Sequence, residues 1–197
     1  MSAKTKKINV QVTTDVFRIS FPHLFKAHAP QGSTNPPKYS CDMLFTDKAS
    51  LAKIEKACAE VMTEKFGSDK TKWPKSKNQV IKDGNEKENI TGYEGTKYIT
   101  ARSDRRPTVV DRNKQEILDE SQIYAGSYCR AQISVYWFEK PTNKGIAIGL
   151  NAVQFVKDGP RFGAGKVNVN AAFGDDLPDD GADDPANYSS ESDDSGF

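Results

Sequence analysis

The chain has 197 residues, of which 36% are hydrophobic and 28% charged, enough for one folded unit with a sizeable core and too few for two large ones. Its net charge of +1 conceals an uneven distribution: all 28 Lys and Arg residues lie in residues 1–173 with 18 of the 27 acids, and the other nine acids lie in residues 174–197, so the two portions carry +10 and −9. Cys41, Cys58 and Cys129 lack the paired spacing of a disulfide framework or a zinc site, no 18 apolar residues run together and the basic start MSAKTKKINV leads into no apolar segment, so secretion and membrane spanning lose their sequence support and a reducing, cytoplasmic setting is expected.

In chain order, Ile8, Val10 and Val12 alternate with polar residues and lead into Val16, Phe17, Ile19 and Phe21, which predicts a long or bulged strand stopped by Pro22. The turn-rich APQGSTNPP follows, then a second strand from Tyr39 to Phe45. Leu51, Ile54, Cys58, Val61 and Met62 fall at helical spacing between Asp47 as cap and Gly67 as stop, and this is the one helix the pattern predicts. Residues 68–97, rich in Lys and broken by Gly and Pro, predict a long excursion over the surface. Strand patterns resume at 98–102, 108–111, 128–138 and 146–156, with EKPTNKG as a hairpin loop between the last two. Mostly antiparallel strands with one helix predict a mainly β fold, a small barrel or sandwich, because closure removes exposed strand edges. From Gly174 the chain holds almost no large apolar residue, so residues 1–173 are expected to fold and residues 174–197 to form a disordered acidic tail.

Strand side chains alternate between faces, and the strand from Tyr128 to Phe138 sorts accordingly. Cys129, Ala131, Ile133, Val135 and Trp137 make a core face, whereas Tyr128, Arg130, Gln132, Ser134, Tyr136 and Phe138 make a polar, cationic face with three rings. YITAR repeats the recipe: Ile99 and Ala101 point one way and Tyr98, Thr100 and Arg102 the other, with Arg105 and Arg106 just beyond. Single-stranded nucleic acid asks for this combination, since it offers phosphates to cations and unpaired bases to flat rings. Tyr98, Tyr128, Tyr136 and Phe138 are the stacking candidates, and Arg102, Arg105, Arg106 and Arg130 the phosphate contacts. The Lys-rich excursion, with Lys75 and Lys77 around Trp73, either extends that track or is a solvated loop whose Trp plugs the core. The bland alternative for the aromatic faces is a set of ordinary cross-strand pairs.

Enzymatic signatures are missing: there is no H-E-x-x-H, no G-x-x-x-x-G-K-[ST] and no G-x-S-x-G. No cofactor and no metal is expected. A metal-dependent nuclease built on carboxylates such as Asp104, Asp111 and Glu116 and a non-enzymatic interaction or virion protein stay open as alternatives. The tail, tethered to a basic aromatic surface, is expected to compete with DNA for it; a flexible 24-residue chain reaches about 27 Å. Asp193 and Asp194 next to the final Phe197 suit docking into an apolar pocket rimmed by Lys or Arg on another protein.

With these residues in view, YSCDMLF, YITARSDRRPTVVD, IYAGSYCRAQISVYWF and GIAIGLNAVQFVKDG, together with an acidic tail ending in Phe, resemble the single-stranded DNA-binding proteins of tailed bacteriophages, the T7-type group included. The resemblance spans most of residues 8–162. It implies an OB-fold, sequence-independent binding of single strands in replication, recombination or repair, no membrane association, and contact of the tail with replication or recombination proteins; a homo-oligomer is compatible with it. The tail is more loosely similar to that of the bacterial single-stranded DNA-binding proteins, which end in acidic residues, Pro and Phe; here Gly196 precedes Phe197.

Overall fold

A computed structural model describes residues 8–74, 79–141 and 143–163. Among these residues are eight strands and one α-helix: β1 (Asn9–Thr13), β2 (Phe17–His28), β3 (Lys38–Phe45), α1 (Ala52–Phe66), β4 (Lys82–Asp83), β5 (Lys97–Ser103), β6 (Thr108–Val110), β7 (Tyr128–Lys140) and β8 (Asn143–Lys157). β2 pairs with β3, β3 with β5, β5 with β8, β8 with β7, and β7 again with β2, so the pairings form a ring of five strands. That cyclic order is the OB-like arrangement. Most pairings are antiparallel, as expected, and β5–β8 and β6–β8 are parallel. A parallel neighbour requires a long crossover, and the chain from 104 to 142, with β6 and β7 inside it, supplies one.

Alternation explains where the core sits. Cys41, Met43 and Phe45 of β3, Ile99 and Ala101 of β5, and Cys129, Ala131, Ile133 and Val135 of β7 are buried together, with Ile148, Leu150 and Val153 of β8. α1 covers one side with Ile54, Ala57 and Val61 and lies against β1 and β7. Each fully buried aliphatic side chain contributes about 1.5–3 kcal/mol. Asp47 accepts a hydrogen bond from the Ala49 amide at 3.0 Å, just ahead of α1, where a 3-10 turn at Ala49–Leu51 leads into the helix. Gly67, with φ of 87°, ends the helix and donates to the Thr63 carbonyl. Burial pushes the Cys58 thiol up to about 11 and the Cys129 thiol to about 12, and raises Cys41 well above its ordinary value.

Three sequence expectations are corrected. Pro22 does not stop the first long strand: β1 and β2 are separate, and β2 runs through Pro22 with a register shift between Ser20 and His23. A bulge leaves a residue outside the ladder, which is where a residue lacking an N–H is tolerated. The β7–β8 hairpin is tighter than the EKPTNKG loop, because pairing continues out to Lys140 opposite Asn143. The described part of the 68–97 excursion has order of its own, with 3-10 turns at 70–72 and 84–86 and the short β4 paired to β5. The expected boundary at 173/174 and the acidic tail lie outside the described residues. Among the described residues no helix is long and apolar enough to cross a membrane.

Candidate nucleic-acid interface

The strand period that buries Cys41 and Met43 turns Lys38, Ser40, Asp42 and Leu44 of β3 to the opposite face, and in the same way β5 turns out Tyr98, Thr100 and Arg102. Pairing aligns these sets, with Ser40 opposite Arg102, Asp42 opposite Thr100 and Leu44 opposite Tyr98. Over this face runs a groove made of two depressions that share Lys38, Lys82, Thr100, Arg102 and Lys140. One depression is walled by Tyr136 and Phe138 of β7 and by Ile146 and Ile148 of β8. The other is walled by Phe21, His23 and His28 of β2, by the 30–36 turn, and by Lys87. Five cations, Lys38, Lys82, Lys87, Arg102 and Lys140, thus share the groove with the carboxylate of Asp42.

Asp42 organises the floor. Its carboxylate, 6% exposed, accepts hydrogen bonds from the Tyr93 hydroxyl at 2.6 Å, from the Thr100 hydroxyl at 2.6 Å and from Lys87 Nζ at 2.7 Å. Burial and the adjoining carboxylate raise the Tyr93 phenol far above its ordinary value, so it remains a donor. Held there, Lys87 Nζ lies 4.3 Å from the Tyr93 ring centre, 4.4 Å from that of Tyr98 and 5.4 Å from that of Phe21, distances at which a cation is attracted to a ring face.

Phe21 has the most unusual backbone of the groove. It is 44% exposed although strongly apolar, and its φ of 46° lies in the left-handed region, which a bulky residue enters only at a cost. The bulge beside Pro22 turns its ring out of the core and into the groove. Strain of this kind, kept by its surroundings, gathers at functional sites.

Of the residues expected from sequence, Arg102, Tyr136 and Phe138 come together in the groove. Tyr98 lines it as well, but only 5% exposed, because Tyr93 packs edge-on against it with ring centres 5.2 Å apart and Lys82 and Lys87 lie over it. This differs from the open platform expected of Tyr98. The structure does not bring Tyr128 or Arg130 to the groove. The Tyr128 ring centre lies 5.4 Å from the Arg18 guanidinium and 4.7 Å from the Lys157 ammonium, and Arg130 Nε donates to Gln154 Oε1 at 2.7 Å. Arg105 and Arg106 are exposed on the β5–β6 connection, with Arg106 5.4 Å from the Phe25 ring centre. Trp73 donates from Nε1 to the Gly67 carbonyl at 2.9 Å and lines an apolar hollow with Cys58, Met62 and Trp137, next to α1. Lys75, Lys77, Asp193, Asp194 and Phe197 lie outside the described residues. Sequence reasoning missed Phe21, the two histidines, Lys38, Lys87 and Lys140; the Phe-Pro step in a long strand was the one local sign of the bulge that exposes Phe21.

Comparison with known proteins bears on this surface. The family described as the single-stranded DNA-binding protein of Enterobacter phage Enc34 matches residues 10–184. A putative protein p50 of Acyrthosiphon pisum secondary endosymbiont phage 1 is 30% identical over 171 residues, covering 81% of this chain and 90% of that protein. Among solved structures, the single-stranded DNA-binding protein from bacteriophage Enc34 in complex with single-stranded DNA is similar with a TM-score of 0.65 at 28% identity, over 82% of this chain and 97% of that one. The gp2.5 single-stranded DNA-binding protein of bacteriophage T7 is similar with a TM-score of 0.58 at 13% identity, over 76% of this chain and 93% of that one; that likeness concerns the fold.

Proposed function

Because this chain belongs to the family of the Enterobacter phage Enc34 single-stranded DNA-binding protein, we propose that its β3–β5 groove holds single-stranded DNA without regard to sequence, and that the protein coats such strands in phage replication, recombination or repair in the cytoplasm of the infected cell. The family is described by binding rather than catalysis, and the chain is a binding protein, not an enzyme. One observation carries the placement: Phe21, Tyr136 and Phe138 line one continuous groove together with five cations, on the strand pair and between the two connections that OB-folds use for oligonucleotides. Rings stack on bases of any identity, cations follow the phosphates, and a duplex hides the base faces.

Fluorescence titration with oligo-dT is the test. Binding is expected to weaken steeply with salt, as release of counterions requires, and to exceed binding to a duplex of equal length; equal or tighter duplex binding would reject the reading. Tyr136→Ala is expected to cost about 1–3 kcal/mol of affinity. If it lowers stability and leaves affinity intact, its ring is structural.

The tail of residues 174–197, with nine acids and no Lys or Arg, would compete with DNA for the groove and, once displaced, present Asp193, Asp194 and Phe197 to a replication or recombination protein. Deleting residues 174–197 is expected to tighten oligo-dT binding, most at low salt where the Debye length is longest, and to abolish partner capture. Unchanged affinity at low salt counts against the competition.

A further inference from the structure

β2 carries two histidines, and the bulged stretch of that strand places them face to face. The imidazoles of His23 and His28 stack with ring centres 4.2 Å apart and planes within 7° of parallel, and both line the groove. A parallel stack points the ring nitrogens of the two residues side by side rather than toward a common point, which is poor geometry for a metal ion. It is good geometry for receiving a third flat ring, because a base can continue the stack on the open face. His28 is exposed and His23 half-buried, so the outer ring is accessible to a base.

We infer that the His23–His28 pair is a base-stacking step of the DNA groove that takes up a proton when a single strand binds. The inference rests on the groove being the DNA site. In the free protein, stacked imidazoles cannot both become cations without repelling each other, and burial together with His28 lowers the pKa of His23 while Asp42 partly offsets this. The charged groups that line the same depression are Asp42 and Lys38 of β3, Lys82 of β4, Arg102 of β5, Lys140 of β7 and Lys87; of these Lys38 is paired with Asp104 at 3.0 Å and Lys87 with Asp42 at 2.7 Å. The Tyr98 phenol in the same depression is raised by burial and stays neutral, and the Cys41 thiol, turned to the core, is raised as well. Lys26, the other charged residue of this part of β2, is exposed and paired with Glu120 at 3.0 Å. Free, protonation of the pair is opposed by the burial of His23 and by repulsion between the two rings, and Asp42 offsets this in part. A polyanion laid in the groove reverses that balance, stabilising one imidazolium in the complex.

The sign follows from linkage. A group whose pKa is higher in the complex than in the free protein adds affinity below the complex's pKa and loses that contribution as pH rises through it. Affinity for single-stranded DNA should rise on acidification through the histidine range, by about tenfold for each unit by which DNA raises the pKa. Oligo-dT suits the measurement because it carries no group that titrates there.

Titrations with oligo-dT between pH 5.5 and 8.5 at fixed salt test this in the full chain. Wild type is expected to tighten about tenfold toward pH 5.5. The double variant His23→Phe with His28→Phe keeps two flat rings and removes the proton; it is expected to bind as wild type does at pH 8.5 and to show no tightening. His28→Ala should bind more weakly at every pH. A wild-type profile that is flat, or one that persists unchanged in the double phenylalanine variant, overturns the proposal. Tyr136→Ala in the same series separates this failure from a failure of the groove itself: if the groove binds DNA, that variant is weaker at all pH values whatever the histidines do. Thermal melts of each variant identify any that fail to fold; if the double phenylalanine variant does, His23→Gln with His28→Gln, which also removes both titrating groups, takes its place with the same expected loss of the pH slope.

Discussion

Phe21→Ala is expected to weaken binding of single-stranded DNA by about 1–3 kcal/mol, up to roughly a hundredfold, since a stacking ring is worth that much per base. The prediction follows from exposure in the groove joined to a left-handed backbone: a residue this apolar, kept in water at a strained φ, adds nothing comparable to the core. A companion substitution isolates the strain. Phe21→Gly removes the same ring, but glycine tolerates φ of 46° without penalty, so it should be more stable than Phe21→Ala by about 1 kcal/mol. In an ordinary strand the order is reversed, because glycine there costs about 0.5–1 kcal/mol relative to alanine. Urea denaturation of the two variants beside an oligo-dT titration decides the matter; intact affinity in both, or an alanine variant more stable than the glycine one, would show that the turned-out ring is incidental.

The second large effect belongs to Asp42. Its carboxylate is the shared acceptor of the Tyr93 and Thr100 hydroxyls and the Lys87 ammonium, and Tyr93 is fully buried. Asp42→Ala leaves these donors facing a void, and a buried donor stripped of its partner costs about 1–3 kcal/mol. Because two hydroxyls lose their acceptor at once and Lys87 is only partly able to turn to water, a loss near the top of that range, about 3 kcal/mol, is expected, seen as a lower urea midpoint with an unchanged slope. Asp42→Asn, which keeps one acceptor oxygen, should fall between it and wild type. An alanine variant as stable as wild type would mean that water replaces the network.

Much of the groove was legible from alternation alone. Thr100, Arg102, Tyr136 and Phe138 could be placed on outward faces because a strand has period two and their neighbours Ile99, Ala101, Val135 and Ile133 are plainly apolar. The same rule misled for Tyr128 and Arg130. They share the outer face of β7 with Tyr136, yet eight and six residues of strand separate them from it, roughly 20–27 Å at 3.4 Å per residue, and a face that wraps a closed ring does not look in one direction. Tyr98 was read as open because nothing local announces that Tyr93, five positions earlier in chain order, folds back over it. Phe21 was placed in one strand with Phe17 and Ile19, and although a bulge was allowed for there, only the pairing register shows where it falls and that it turns this ring outward. Ring closure through a parallel β5–β8 contact at Arg102 and Gly149 is a long-range fact that no short window of sequence contains.

The raised thiols of the interior have a practical meaning. Cys41 and Cys129 are nearly sealed from solvent, and Cys58, though less enclosed, is also held in its protonated form at neutral pH. An alkylating reagent attacks the thiolate, so modification of Cys41 or Cys129 has to wait for the strands to part, whereas Cys58 needs only movement around α1. The chain thereby contains two clocks of its own, one timing rupture of the strands and the other timing departure of the helix, readable by mass on the unaltered protein with DNA present or absent.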